Sequence, residues 1–255
     1  MDWSRVWPLK PDIVMEGGNM AMNPIGTADY VDSLAMLTTN WQHTISRPFV
    51  STGDTSAATA LASRFAASLQ AEYPDYWPET IRGLIIHSAE WTQAMKDRFA
   101  PLRTKSEYER LLRYCGYGVP NIKRALWSAK NSLTLIAQDT LQPFDKEDGR
   151  TITRDLNLHA IPWPVDILEN LGNTQVTMKA TLSYFIEPNP ARRGWGKKYS
   201  YASHGLRFQV KRQLESYENF RQRINKSARD EDVGAHSGTS PEDQNWMLGL
   251  GANRN

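Results

Sequence analysis

The first half of the chain combines short apolar runs with stretches in which apolar residues recur every three or four positions. Residues 10–15, KPDIVM, form an apolar run before the glycines of EGGN, which predicts the end of a strand followed by a turn. Helical spacing predicts a helix from about Ser56 to Ala71. Its apolar face is made of Ala58, Leu61, Ala62, Phe65, Ala66 and Leu69. Most of its other residues are also small, so we expect this helix to be buried nearly all round.

Three further helices are predicted before residue 130. Pro78 suits the first position of a helix over about 78–90. Residues 105–115 form a short helix, and another begins after the GYGVPN turn. The core-facing residues expected in the first and last of these helices are Ile81, Leu84, Ile85, Ala89, Ile122, Ala125 and Leu126.

The second half of the chain shows a period of two instead. In TQVTMKATLSYF, Val176, Met178, Ala180 and Leu182 alternate with polar residues, which predicts a half-buried strand, and Leu206, Phe208 and Val210 repeat the pattern. A late helix is indicated by Tyr217, Phe220 and Ile224. We therefore expect an α/β protein with a first domain over residues 1–130, a β-rich domain over 150–227 and a disordered tail over 228–255, the boundary falling at about 130–150.

Composition and charge indicate which partners, compartment and cofactors to expect. The chain has 255 residues, of which 40% are hydrophobic, so it can bury a core. Its formal net charge of +2 favours neither nucleic acid nor an acidic membrane as a partner. With a single cysteine, Cys115, no signal-peptide pattern and no apolar stretch of membrane-spanning length, we expect a cytoplasmic protein. The residues show no metal-ligand spacing and no phosphate-binding glycine loop, so we expect no cofactor.

The stretch STGDTSAATALASRF places Ser56 at the start of an alanine-rich helix. One interpretation is that a serine at this position only caps the helix. The other is that its hydroxyl is a nucleophile, held where unpaired N–H groups and the positive end of the helix dipole point outward. Such donors stabilise a developing oxyanion, and the backbone N–H of Ser56 is a natural one.

Several motifs in this half resemble those of the subtilisin-like serine proteases, or subtilases. KPDIVMEGG resembles the family's K-P-D-[VI]-x-A-P-G, and GDTSAATALAS from Gly53 resembles the nucleophile motif G-T-S-x-A-x-P-x-x-A-G. PETIRGLIIHSA matches a helix pattern of the family, and CGYGVPNIKRAL from Cys115 resembles its closing turn and helix. The resemblance covers about 120 residues, in the family's order. VTMKATLSYFIEPNP also resembles the β-sandwich that follows some subtilase domains.

This resemblance implies the C-terminal half of a subtilase catalytic domain, with Ser56 as the nucleophile of peptide-bond hydrolysis by acyl transfer. Two positions depart from the nucleophile motif. Asp54 replaces the glycine before Thr-Ser, and Ala60 replaces the proline four residues after the serine. We interpret Asp54 as a helix cap, and leave open whether its carboxylate alters activation of the serine or substrate preference.

The other members of the catalytic triad are missing from the chain. A serine nucleophile needs a histidine base and an orienting carboxylate, which the family carries upstream. His43 is the one histidine before Ser56, it lies in no H-G-T motif, and Asn19 and Asn23 have no motif support as oxyanion donors. We therefore expect the carboxyl-side portion of a longer protease, inactive alone, whose partners are a peptide or protein substrate and the missing N-terminal half. The alternative is a non-catalytic binding or regulatory module on the same scaffold.

The remaining candidates for chemistry are weaker. His87 is interpreted as a structural histidine within a helix, and His159, His204 and His236 have no supporting context. Ser240 belongs to a literal Gly-Thr-Ser, but in a polar tail without a buried helix behind it. Residues 191–212 interleave basic and aromatic side chains, as single-strand nucleic-acid binders do, and we interpret them as a β-hairpin instead.

Overall fold

A computed structural model describes most of the chain, which folds as two compact units. The described residues are 10–130, 134–140, 142, 144–153, 164–185, 211 and 215–232. The larger unit comprises Leu9–Arg98 and Leu111–Ile186, and the smaller one includes Phe99–Arg110. The larger unit thus includes described residues on both sides of the predicted boundary at residues 130–150.

The described part of the chain contains seven α-helices. They are α1 (Asp54–Glu72), α2 (Pro78–Ser88), α3 (Gln93–Arg98), α4 (Lys105–Cys115), α5 (Ile122–Lys130), α6 (Val165–Asn170) and α7 (Tyr217–Asp232). The helices predicted at 56–71, 78–90, 105–115 and after residue 121 are confirmed, as is the late helix. Residues 228–232, expected in a disordered tail, belong to α7. None of the described helices is long and apolar enough to cross a bilayer.

The core of the larger unit is built by α1, α2 and α5. Its buried members are Phe65, Leu69, Ile81, Leu84 and Ala125. All six apolar-face residues predicted for α1 are buried or partly buried, but the expectation of burial all round is wrong: Ser56, Ser63 and Ala67 are exposed. The reason is that α2 and α5 pack on one side of α1 among the described residues. Pro78 lies at the start of α2, as predicted.

Strands in the described ranges form three antiparallel two-stranded hairpins. Their strands are β1 (Met20–Met22) with β2 (Ala28–Tyr30), β3 (Met36–Thr39) with β4 (Phe49–Thr52), and β5 (Phe144–Glu147) with β6 (Arg150–Thr153). β5 and β6 are joined by Asp148 and Gly149, both at positive φ, which is the geometry a tight hairpin turn requires. Helices and strands are thus mixed, which is consistent with an α/β subtilase-like domain.

The structure does not show the predicted β-sandwich. Residues 174–185 contain no strand, and the predicted strand around Leu206, Phe208 and Val210 lies outside the described residues. The predicted inward face is also reversed. Val176, Met178 and Leu182 are exposed, whereas the alternate polar residues Lys179 and Thr181 contact α2. The reason is that this segment contacts the end of α2, where carbonyl oxygens and a histidine are exposed to it rather than an apolar surface.

Candidate functional site: the Ser56 turn

Ser56 lies in the exposed first turn of α1. β4 leads directly into Gly53, the N-cap residue, whose backbone is extended, and α1 begins at Asp54. Ser56 is exposed, while Ala57 next to it is buried and anchors the turn. Within the described ranges no hydrogen bond engages the Ser56 hydroxyl. The serine is therefore accessible from solvent, at the end of a 19-residue helix where backbone N–H groups lack helical partners.

The glycines of the EGGN turn let this segment contact the Ser56 turn closely. The backbone N–H of Asp54 donates to the carbonyl oxygen of Gly17 over 2.6 Å. A Cβ added to Gly17 would lie 2.8 Å from the Asp54 carbonyl oxygen, closer than van der Waals contact permits. Gly18 has a φ of +81°, in the left-handed region that favours glycine. The turn predicted after residue 15 therefore has a clear role, since it supports the backbone just before Ser56.

Asp54 adopts a conformation that explains why a glycine would suit this position. Its φ is 65°, in the left-handed region that Asp and Asn tolerate better than most residues. The interpretation of Asp54 as the helix cap is wrong, because Gly53 is the N-cap and no side chain caps it. Instead, the Asp54 carboxylate lies near the Tyr30 hydroxyl. Lost hydration is the first cause that raises the pKa of Tyr30, and the interaction of its hydroxyl with the Asp54 carboxylate raises it further.

Sequence reasoning missed Tyr30. The residue comes from β2, 24 positions before Asp54, and no spacing in the sequence links the two. Its hydroxyl also covers the backbone of Gly53, where an added Cβ would lie 2.4 Å from the hydroxyl oxygen. Tyr30 thus contacts both residues at the entry to α1, and the small size of Gly53 is the sole sequence signal of a close neighbour.

The motif around Cys115 contacts the first motif directly. Tyr117 N–H donates to the Asp12 carbonyl over 2.8 Å, and Val14 N–H donates to the Gly118 carbonyl over 3.0 Å. An added Cβ at Gly116 would lie 2.4 Å from the Asp12 carbonyl oxygen. Burial, and then the charge of Asp12, raise the pKa of Tyr117. The motifs that begin at Lys10, Gly53 and Cys115 therefore form one contiguous region, connected mainly by backbone contacts.

An open groove of about 420 Å³ lies between α1, α2 and the extended segment at residues 12–13. Its wall is mostly apolar, and at its edge the guanidinium of Arg82 pairs with the Asp12 carboxylate at 3.2 Å. The apolar residues that line it are Ile13, Ala66, Ala67, Pro78, Ile81, Ile85 and Ile86. The Asp12–Arg82 pair joins the first motif to α2, and its 70-residue separation gave no signal in the sequence.

His43 lies at the wrong end of its hairpin to serve Ser56. It belongs to the loop between β3 and β4, whose last pair before the loop is Thr39 with Phe49, whereas Met36 pairs with Thr52 next to α1. At a rise of about 3.4 Å per residue, these two pairs are about 10 Å apart. His43 therefore belongs to the loop at the end of the hairpin that is opposite α1.

The two asparagines considered as oxyanion donors serve local turns. The side-chain oxygen of Asn19 accepts from the N–H of Met20, and that of Asn23 accepts from the N–H of Thr27. Neither contact involves the Ser56 turn. His159, His204, His236 and Ser240 lie outside the described residues.

His87 is half-buried in the last turn of α2, away from the Ser56 turn. Its Nδ1 lies 2.9 Å from the Thr181 hydroxyl. Burial, followed by the positive charges of Lys179 and Arg124, lowers the pKa of His87. Among the described residues, no cluster of three or more His, Cys, Asp or Glu side chains is placed to hold a metal ion.

Comparison with known proteins gives a family match for the first part of the chain. Residues 2–118 match the model of the subtilase family, a range that includes Ser56 and reaches Gly118. The family match supports a protease-type domain over these residues. The chain is also 30% identical over 234 residues to the uncharacterized protein y4bN of Sinorhizobium fredii (strain NBRC 101917 / NGR234), covering 87% of this chain and 49% of that protein. The chain thus spans about half the length of this curated relative. No solved structure matches.

Proposed function

We propose that the chain carries the nucleophile of a subtilisin-like serine endopeptidase, that this nucleophile is Ser56, and that the triad aspartate and histidine come from polypeptide outside this chain. The observation that supports the proposal is the subtilase-family match over residues 2–118, within which Ser56 occupies an exposed first helical turn. A peptide or protein is the corresponding substrate. Alone, the chain is expected to hydrolyse peptides very slowly.

The proposed chemistry assigns one step to each group. The Ser56 oxygen attacks the carbonyl carbon of the scissile peptide bond, its proton passes to the histidine base, and the amine leaves after taking that proton. The carbonyl oxygen becomes an oxyanion, which the N–H of Ser56 and the dipole of α1 stabilise. Without the base, the hydroxyl stays protonated at neutral pH, and loss of triad members costs roughly 10⁴–10⁶ in turnover.

A fluorophosphonate probe tests the assignment of Ser56. The chain alone is expected to label very slowly, whereas a mixture with the polypeptide encoded in frame upstream is expected to label at one site. Ser56→Ala should abolish that labelling. Ser63→Ala is the matched control, because Ser63 is exposed on the same helix and donates to the Thr59 carbonyl. Labelling that survives Ser56→Ala, or that is fast for the chain alone, contradicts the proposal.

A non-catalytic binding module is the second candidate function. It is favoured by the position of His43, which the hairpin holds at the end remote from Ser56. The coding sequence upstream discriminates between the two candidates: an aspartate motif and an H-G-T there support the protease, and their absence supports the module. Stoichiometric mixing that restores no Ser56-dependent cleavage also supports the module.

We also propose a cytoplasmic location, because the single Cys115 can form no internal disulfide, which suits a reducing compartment. Cell fractionation with an antibody to the protein tests this, and recovery in an extracytoplasmic fraction contradicts it.

A further inference from the structure

Residues 179–185 cross one side of α2, and we call this segment the strap. The ammonium of Lys179 donates to the carbonyl oxygens of His87 at 2.6 Å and Ala89 at 2.9 Å. Carbonyls at a helix C-terminus lack helical partners and carry the negative end of the dipole, so a lysine is well suited to bind them. This end of the strap therefore caps α2.

Alternate residues of the strap make the other contacts with α2. Thr181 is hydrogen-bonded to His87, and the aromatic ring of Phe185 lies 5.9 Å from the guanidinium of Arg82. Between them, the Cβ of Ser183 lies where a Cβ added to Gly83 would touch it at 3.4 Å. A small residue at position 83 thus lets the strap lie close to the helix.

The charges around His87 are mostly cations. Lys179 reaches it from the strap, and Arg124 reaches it from α5; both act to lower the pKa of His87, after burial. The nearby carboxylate, Glu90, is paired with Arg124 and also acts on Lys179. Burial, together with Arg124, lowers the pKa of Lys179 as well, whereas Glu90 raises it. The negative charge of Glu90 is therefore shared between two cations, Lys179 and Arg124, even when His87 is neutral.

We propose that the strap is a pH-sensitive device: protonation of His87 adds a third cation beside Lys179 and Arg124 and releases residues 179–185 from α2. The hydrogen bond to Thr181 does not by itself oppose protonation, because a hydroxyl both donates and accepts. Protonation is opposed first by burial, which costs the charged imidazole its hydration, and then by repulsion from Lys179 and Arg124, which water screens weakly at a half-buried position.

The direction of the pH effect follows from the lowered pKa. In the released state, His87 titrates near its ordinary value of about 6.5. In the held state it binds its proton at lower pH, so the released state binds more protons between the two values. The held state, in which the strap contacts α2, is therefore most stable above about pH 6.5, and its stability relative to the released state decreases as the pH falls. The ratio of released to held strap changes by at most about tenfold per pH unit.

Spin labels test the proposal in the full chain. With Cys115→Ser as background, labels replace the exposed residues Leu182 on the strap and Ala67 on α1. Between pH 7.5 and pH 5, the fraction of molecules with an altered 182–67 distance is expected to increase. A second pair at Ala67 and Lys123, on α1 and α5, reports on the core and is expected to keep its distance.

His87→Gln should remove the pH dependence, and His43→Gln is the matched control because His43 is exposed in a hairpin loop. If the 67–123 distance shows that His87→Gln disturbs the core, Lys179→Met provides the second variant and should weaken the pH dependence by removing one repelling cation. A constant 182–67 distance across this pH range overturns the proposal. So does an unchanged pH dependence in whichever of the two variants keeps its core.

Discussion

Two regions of the molecule are held together in different ways. Around Ser56, the motifs contact each other through their backbones, whereas the end of α2 is bound by side chains from a segment distant in sequence. Gly17 and Gly116 lie so close to the carbonyl oxygens of Asp54 and Asp12 that a side chain on either glycine would overlap them. The strap binds α2 through Lys179 and Thr181 instead. Backbone contacts depend on glycines at fixed positions and tolerate no replacement, while side-chain contacts respond to charge and pH. Substitutions should therefore affect the two regions differently.

The largest effect is expected for Gly118→Ala. An added Cβ would lie 2.2 Å from the Glu90 carbonyl oxygen, at a φ of +100° that non-glycine residues rarely adopt. Overpacking and backbone strain each cost about 1–3 kcal/mol, so we expect a loss of roughly 3 kcal/mol in the free energy of unfolding. Denaturant unfolding followed by circular dichroism measures it.

Gly26→Ala is the matched control for that experiment. Gly26 also has a positive φ, of +85°, but no atom lies within 4 Å of an added Cβ. Only the conformational cost of about 1 kcal/mol then applies. Equal losses for the two variants would show that the close approach to Glu90 contributes nothing.

A smaller loss is expected for Lys179→Met. The variant removes two charge-assisted hydrogen bonds to carbonyl oxygens while keeping most of the aliphatic stem. Because Lys179 is partly in contact with solvent, we expect a loss of about 1–2 kcal/mol in the free energy of unfolding. Lys96→Met on α3, an exposed position with no described ion pair, should change stability by less than about 0.5 kcal/mol. A Lys179 variant as stable as the Lys96 variant would mean that the strap does not cap α2.

The smallest effects are expected at Asp54. Asp54→Gly should relieve the left-handed backbone and raise stability by less than about 1 kcal/mol, whereas Asp54→Ala should lower it by a similar amount. Thermal unfolding should therefore show that glycine at position 54 gives the most stable protein, aspartate the next and alanine the least stable. An alanine variant more stable than the glycine variant would contradict the left-handed conformation.

Asp54 also gives a titration that is independent of stability. Asp54→Asn removes the negative charge beside Tyr30, so the pKa of Tyr30 should fall towards its ordinary value near 10. NMR of the Tyr30 ring as a function of pH measures the change, with Asp29→Asn as the control on a neighbouring residue. No fall in the Asp54 variant would mean that the Tyr30–Asp54 contact is not made.

The sequence predicted the helices well and the long-range contacts poorly. Helical spacing identified α1, α2 and α5, and glycine-rich motifs indicated the turns after residues 15 and 115, because both signals are local. Tyr30 with Asp54 and Asp12 with Arg82 gave no signal, since each pair joins distant segments through a single contact. The strap was misjudged because its alternation fits a sheet, while its actual neighbour is the polar end of a helix.

The central claim is that Ser56 is the nucleophile and that its base lies outside this chain. The most direct measurement is the rate of peptide hydrolysis by this chain mixed with the polypeptide encoded upstream, compared with the same mixture carrying Ser56→Ala. We expect at most very slow hydrolysis by either polypeptide alone, rapid hydrolysis by the mixture, and a loss of at least about 10³-fold on Ser56→Ala. A mixture in which Ser56→Ala cleaves peptides as fast as the unchanged chain would contradict it.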